Sequence, residues 1–228
     1  NYSDVPNHQF VFIAENNSGY LTSYYPYNVT VDRSPPSKPV LSGNPQSTSS
    51  IEWSWLVPDS FCAPPESASS YTLVNRATGA EILSVFHPTL SITESFGGEP
   101  PNQIHGRGLY SKDIHGTSPI SDGATAYTLA AAPAFVTTAF DANSISTGSV
   151  LLRWLTSNNP AYTRYEVEQT LTPGFGGSVA TLASISDNFT ADRLGVNGLS
   201  AGTTYYARVR AKNGRHTDSY GSQLTSYA

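Results

Sequence analysis

Apolar and polar residues alternate along most of this chain, and short turns interrupt the alternation. The segments Ile51–Trp55, Val150–Trp154 and Tyr165–Glu168 place apolar side chains two residues apart. A period of two is typical of a β-strand with one buried face, whereas an amphipathic helix repeats its apolar residues every three or four positions. The 16 prolines and 18 glycines recur every few residues and would break long helices. The pattern therefore predicts an all-β fold of short strands arranged as sandwiches.

Two segments without strand pattern divide the chain. Residues 34–39 (SPPSKP) are too rich in proline to pair within a sheet, and residues 130–133 (AAAP) end with a proline. We predict a short part over 1–36, a sandwich over 37–131 and a second sandwich over 132–228. The two long parts have about the hundred residues that are usual for one sandwich.

The two long parts also repeat each other. Ile51–Trp55 matches Val150–Trp154 at an offset of 99 residues, and Tyr71–Leu73 matches Tyr165–Val167 at an offset of 94. The offsets differ because the first copy has a longer loop, which contains Cys62.

The second copy resembles the fibronectin type III family. Trp154 on an early strand is followed by Tyr165, and residues 199–205 (LSAGTTY) resemble the family's leucine-to-tyrosine corner. Residues 206–214 (YARVRAKNG) are similar to its penultimate strand and the loop that follows. The resemblance implies an immunoglobulin-like β-sandwich in which the hydroxyl of Tyr205 ties the chain back on itself. The first copy departs from the pattern at residues 103–108 (QIHGRG), where the corner tyrosine is missing.

Residues 1–33 resemble the last two strands of a further sandwich. Residues 9–19 (QFVFIAENNSG) resemble a penultimate strand with its loop, and residues 24–31 resemble a last strand. The spacing agrees, because Ala14 lies 25 residues before Pro39 and Gly108 lies 25 residues before Pro133. The part over 1–36 is therefore predicted to be the last two strands of an incomplete sandwich plus a linker.

A two-stranded hairpin is marginal in water by itself. We expect Phe10 and Phe12 to share one face with Tyr25 or Tyr27, and each large apolar side chain left exposed forgoes about 1.5–3 kcal/mol. The upstream strands either belong to the same polypeptide or come from a neighbouring copy by strand complementation, which can build an open filament. The sequence contains no methionine, so we expect it to begin after a cleavage or inside a longer chain.

Composition and charge exclude several kinds of partner. The net charge is −5, from 12 basic and 17 acidic residues, and binding to nucleic acid needs clustered basic side chains. No stretch reaches the roughly 18 apolar residues of a membrane helix, so we expect no membrane insertion.

The single cysteine excludes an internal disulfide. Glycosylation sequons, which indicate an extracellular or cell-surface location, begin at Asn1, Asn16, Asn28 and Asn188.

The sequence offers few residues for catalysis or metal binding. Asp113 and His115 are two residues apart and would share one face of an extended segment, as a metal-binding or acid–base pair requires. No second pair has a spacing suited to metal ligands. Gly174–Ser178 lacks the lysine of a phosphate loop, and the motifs of serine hydrolases and zinc proteases are absent. Prolines surround Cys62, and no base is near it in the sequence. We predict no catalytic residue, no cofactor and no metal, and therefore no enzyme.

Two further sets of side chains have a structural and a functional interpretation. The basic set Arg208, Arg210, Lys212 and Arg215 is explained by cross-strand pairs with Glu166 and Glu168 on a neighbouring strand, without an anionic partner. Exposed tyrosines either stack on sugars and anchor an interface or fill the solvent side of strands. These are Tyr24, Tyr25, Tyr27, Tyr206, Tyr220 and Tyr227.

We therefore predict a non-catalytic extracellular protein with a structural or adhesive role, a surface or filament building block made of sandwich repeats. Its expected partners are copies of itself or a neighbouring surface protein. The alternative is a spacer or accessory carbohydrate-binding module of a secreted polysaccharide-degrading enzyme, which would bind polysaccharide.

Overall fold

A computed structural model describes residues 8–12, 17–19, 25–29, 35–56, 68–136 and 145–214 of the chain. Its strands are β1 (His8–Phe12), β2 (Tyr25–Val29), β3 (Leu41–Ser47), β4 (Ser50–Trp55), β5 (Ser70–Asn75), β6 (Glu81–Phe86), β7 (Ser91–Ser95), β8 (Ile104–Lys112), β9 (Ala124–Tyr127), β10 (Ala134–Phe135), β11 (Ser149–Leu155), β12 (Arg164–Thr170), β13 (Ala180–Ala183), β14 (Arg193–Asn197) and β15 (Tyr206–Lys212). Short 3-10 helices cover Pro173–Phe175 and Ile185–Asp187. The predicted all-β fold is confirmed.

The strands form several small sheets. In the described residues their orders are β1-β2, β3-β4-β7, β6-β5-β8-β9, β10-β11-β14 and β13-β12-β15. The chain divides into two compact units. Unit 1 contains residues 1–42, 54–91 and 107–124, and unit 2 contains residues 43–53, 92–106 and 125–228. The domain boundaries predicted from the sequence stay predictions.

Unit 1 is built around β5, the strand between β6 and β8. Tyr71 and Leu73 on β5 are fully buried, as is Leu109 on β8, which lies opposite Leu73 in the antiparallel register. The Trp55 ring lies 5.2 Å from the Tyr71 ring, centroid to centroid. Strand β8 keeps a continuous register with β5 although the corner tyrosine is missing nearby. The strand therefore forms without that tyrosine and is paired along β5.

Unit 2 contains a sandwich made by the sheets β10-β11-β14 and β13-β12-β15. Trp154 on β11 lies at its centre and contacts the rings of Phe135, Tyr165 and Phe189 at centroid distances of 6.4, 5.7 and 6.1 Å. Val167 and Val209, from the two neighbouring strands of the facing sheet, are fully buried in the same cluster.

The burial of alternate residues confirms the two-residue period. On β4, Ile51, Trp53 and Trp55 are buried and the residues between them are only half-buried. On β11, Trp154 is buried between Arg153 and Leu155, which are exposed. Both strands therefore present one apolar face, as the sequence pattern predicts.

Candidate functional site

Two of the three basic side chains of β15 are paired with glutamates on β12. Arg208 lies opposite Glu168, and Arg210 opposite Glu166. Arg208 Nη2 is 2.6 Å from Glu168 Oε2, and Arg210 Nη2 is 2.6 Å from Glu166 Oε1. Arg208 also lies over the Phe175 ring, with Cζ 4.3 Å from the centroid. These pairs confirm the structural interpretation for Arg208 and Arg210, whereas Lys212 lies opposite Arg164. Arg215 lies outside the described residues.

Asp113 closes a turn through its side chain. Its Oδ1 accepts the backbone N–H groups of His115 and Gly116 at 2.7 and 2.8 Å, the geometry of an Asx turn. Among the described residues, no group of three or more His, Cys, Asp or Glu side chains is arranged to hold a metal ion. Cys62 lies outside the described residues, so the interpretation of its long loop stays a prediction.

The glycine-rich segment Gly174–Ser178 belongs to the connection between the antiparallel strands β12 and β13. Gly174 has φ 72° and Phe175 has φ 58°, so the chain turns there through left-handed conformations. A phosphate loop would instead lead into a long helix whose N-terminus faces the anion. The connection has the character of a hairpin loop.

Two ionisable groups of unit 1 have shifted pKa values because of a direct partner. Lys38 Nζ lies 2.7 Å from Asp122 Oδ1 and, by hydrogen bond and charge, lowers the pKa of that carboxyl. The Tyr110 hydroxyl donates to Glu81 Oε1, and this hydrogen bond raises the pKa of the phenol. Both pairs are exposed and act as surface contacts.

The predicted sequons lie in different kinds of structure. Asn188 is exposed, follows the 3-10 helix Ile185–Asp187, and has a left-handed backbone with φ 57°. Its Oδ1 accepts from Arg164 Nη1 at 3.3 Å. Asn28 is in β2, whereas Asn1 and Asn16 lie outside the described residues. Glycosylation at all four positions stays a prediction.

The assembly hairpin, which we define as β1 and β2, forms as an antiparallel pair. Its register sets Phe10 opposite Tyr27 and Phe12 opposite Tyr25. Directly opposed positions belong to the same face of an antiparallel ladder. The backbone register therefore places these four positions on one face. In the described part of the chain, the hairpin is a sheet of two strands.

A cavity of about 450 Å³ lies between the two sheets of the unit 2 sandwich. Its lining is mostly apolar and includes Phe135, Leu152, Val196, Leu199 and Tyr206. Of the tyrosines considered as ligand contacts, Tyr206 is 36% exposed. Tyr24, Tyr220 and Tyr227 lie outside the described residues, and for Tyr25 and Tyr27 the structure describes only the strand that carries them.

The polypeptide closes on itself at one corner of this sandwich. The Tyr205 hydroxyl accepts the backbone N–H of Ser200 at 3.0 Å. The link spans five residues and leads into β15, as the predicted corner requires. The role that the resemblance implies for Tyr205 is confirmed.

A buried polar junction joins segments from the two copies inside unit 2. Asn102, fully buried, donates through Nδ2 to Thr163 Oγ1 at 2.9 Å, and its Oδ1 accepts the backbone N–H of Gly214 at 2.6 Å. The Tyr162 hydroxyl donates to the backbone oxygen of Asn102 at 2.5 Å. Asn102 has φ 56°, a left-handed conformation that asparagine adopts more readily than most residues. Sequence analysis missed this residue.

Residues 134–226 match the sequence model of the fibronectin type III domain. This part of the chain therefore has the fibronectin type III fold. Domains of this family are typically non-catalytic and are often found in extracellular adhesive or structural proteins. No curated protein matches the chain. No helix in the described ranges is long and apolar enough to cross a membrane.

Several solved fibronectin type III structures are similar to this chain at low identity. The FN1–FN3 domains of chicken CNTN1 share 14% identity at a TM-score of 0.41, covering 96% of this chain and 73% of that one. A two-domain segment of chicken tenascin shares 13% identity at a TM-score of 0.41, covering 86% and 99%. The structure of FN3tt shares 19% identity at a TM-score of 0.34, covering 42% and 96%.

One local signal could have marked Asn102 as a turn residue, although it does not identify the residues that Asn102 contacts. Asparagine is common where a non-glycine backbone turns left-handed, and Asn102 follows two prolines. Its partners, however, lie 61 and 112 residues away in the sequence. No local pattern specifies contacts over such separations.

Proposed function

We propose that this protein is a non-catalytic extracellular building block of a surface structure or filament. Two observations support a structural role: the fibronectin type III fold of residues 134–226 and the buried junction between the two repeats. Domains of the family that matches residues 134–226 often have adhesive or structural roles outside cells.

The observation that carries the assembly part of the proposal is the register of the assembly hairpin. Two aromatic pairs, Phe10 with Tyr27 and Phe12 with Tyr25, occupy one face of a two-stranded sheet. A sheet of this size gains stability from additional strands and from a surface that covers its apolar face. A second copy of the chain would supply strands through main-chain hydrogen bonds.

Such a contact joins two different surfaces and therefore need not close into a ring. A heterologous contact that repeats without closure gives an open filament. The assembly proposed here consequently grows with protein concentration and has no fixed stoichiometry.

The experiment compares the assembly of the wild-type chain with that of a hairpin variant. Phe10→Ser and Phe12→Ser together remove the two aromatic positions on β1, whereas the control Val11→Ser changes the other face of the same strand. We expect concentration-dependent oligomers by light scattering and filaments by electron microscopy for the wild type and the control. The double variant is expected to stay monomeric.

Three outcomes would contradict parts of the proposal. A wild-type chain that stays monomeric at all concentrations rules out assembly through the hairpin. An intact mass of the native polypeptide well above 24.4 kDa, with further strands upstream, shows that the sandwich is completed within one chain. A monomer that co-sediments with insoluble polysaccharide supports the accessory-module alternative.

A further inference from the structure

The junction between the two repeats contains a second asparagine that bonds to the linker. Asn159 Oδ1 accepts the backbone N–H of Ala131 at 2.8 Å, and Asn159 Nδ2 donates to the backbone oxygen of the same residue at 2.8 Å. One amide side chain therefore satisfies both backbone groups of Ala131, as a paired strand would. The linker is bonded to the loop between β11 and β12 at this point.

A third asparagine lies beside the first. Asn213, 1% exposed, places Nδ2 3.5 Å from the backbone oxygen of Tyr127. The next residue, Gly214, donates to Asn102. Asn102 itself donates its backbone N–H to Leu129 at 3.1 Å. The loop after β15 is thus joined to the end of the first repeat through two consecutive residues.

We infer that these three asparagines form a conformational device that fixes the orientation of the second repeat on the end of the first. The contacts join four separate chain segments, which are the turn at residue 102, the linker at 131 and the two loops at 159–163 and 213–214. Bonds at several separate points resist both bending and twisting, whereas a single linker resists neither. This inference is independent of the proposed assembly.

Burial makes the junction specific for one orientation. Asn102 and Thr163 are each 0% exposed, so a movement that separates them leaves buried polar groups without partners. An unsatisfied buried donor or acceptor is much more costly than the net gain from forming the bond. Intermediate orientations are therefore disfavoured, and one arrangement dominates.

The test measures the distance between spin labels on the two repeats. Labels are attached at Thr93→Cys on β7 and Thr181→Cys on β13, two exposed positions of unit 2, in a Cys62→Ser background. We expect one narrow distance distribution for the otherwise unchanged chain. Asn102→Gly, which removes the amide but tolerates the left-handed backbone, is expected to broaden it.

Asn188→Gly is the matched control, because Asn188 has the same left-handed conformation at an exposed position and its amide bonds to Arg164 rather than to Asn102, Asn159 or Asn213. It is expected to leave the distribution narrow. If Asn102→Gly does not fold, Thr163→Val removes the acceptor of the amide at constant side-chain size and serves as the second variant.

The inference is overturned if the unchanged chain already gives a broad distribution. It is also overturned if both junction variants keep the narrow one. If Asn188→Gly broadens the distance distribution as much as Asn102→Gly does, the broadening comes from the added freedom of a glycine backbone. This result would also refute the inference.

Discussion

The hydroxyl of Tyr205 accepts the backbone N–H of Ser200 at 3.0 Å and closes the corner that leads into β15. Tyr205→Phe removes only the hydroxyl. We expect it to lower the free energy of unfolding by about 0.5–1.5 kcal/mol, the net contribution of one hydrogen bond. Urea unfolding measures the change, and Tyr206→Phe, at the adjacent and partly exposed position, serves as the control. Equal effects of the two substitutions would show that the corner bond adds nothing.

Gly43 on β3 is required by the fully buried ring of Trp53. A Cβ at position 43 would lie 2.5 Å from Trp53 Cζ3 and 3.0 Å from the Cβ of Ala126. We expect Gly43→Ala to destabilise the fold by about 1–3 kcal/mol, because an overpacked site must displace its neighbours. Gly195→Ala is the control, since its Cβ would meet no heavy atom within 4 Å in β14. Thermal unfolding that ranks the two variants in the opposite order would contradict the assignment.

The pair Arg210 and Glu166 should show a measurable coupling energy. A double-mutant cycle with Arg210→Gln and Glu166→Gln is expected to give about 0.2–1 kcal/mol, decreasing with added salt. The neighbouring residues Asp192 and Arg193 also form a pair, but their side chains are 53% and 60% exposed. Their cycle should give a value closer to zero. A cycle that gives no coupling between Arg210 and Glu166 would contradict the structural interpretation of this pair.

Stability should fall at alkaline pH because of two buried tyrosines. Burial raises the pKa of Tyr71 and of Tyr165 above 10.0. Below about pH 10 both states keep the phenol protons, and above it the unfolded state loses them first. The folded state then binds more protons, so its stability decreases as pH rises towards the folded pKa values.

Urea unfolding at a series of pH values from about 9 to 11 measures this slope. Tyr165→Phe removes one titrating group and should make the slope shallower. A slope that is unchanged in this variant would show that Tyr165 does not contribute to the linkage.

The faces of the strands and the tyrosine corner could be predicted because they are local. Strand periodicity puts Ile51, Trp53 and Trp55 on one side of β4 whatever lies against it. The corner needs only the short segment from Ser200 to Tyr205, which are five positions apart. Cross-strand pairs such as Arg208 with Glu168 could also be predicted, once the resemblance supplied the neighbouring strand.

The junction could not be predicted in this way. The sequence around Asn102 does not indicate that its side-chain amide forms hydrogen bonds with Thr163 and Gly214, which are 61 and 112 residues away. The same holds for Gly43, whose close neighbours include Ala126 on β9. The sequence by itself determined the strand period, the repeat and the corner, because these depend on residues near each other in the chain. Only the tertiary structure decided which polar groups are buried together at the junction, because burial depends on how distant segments pack.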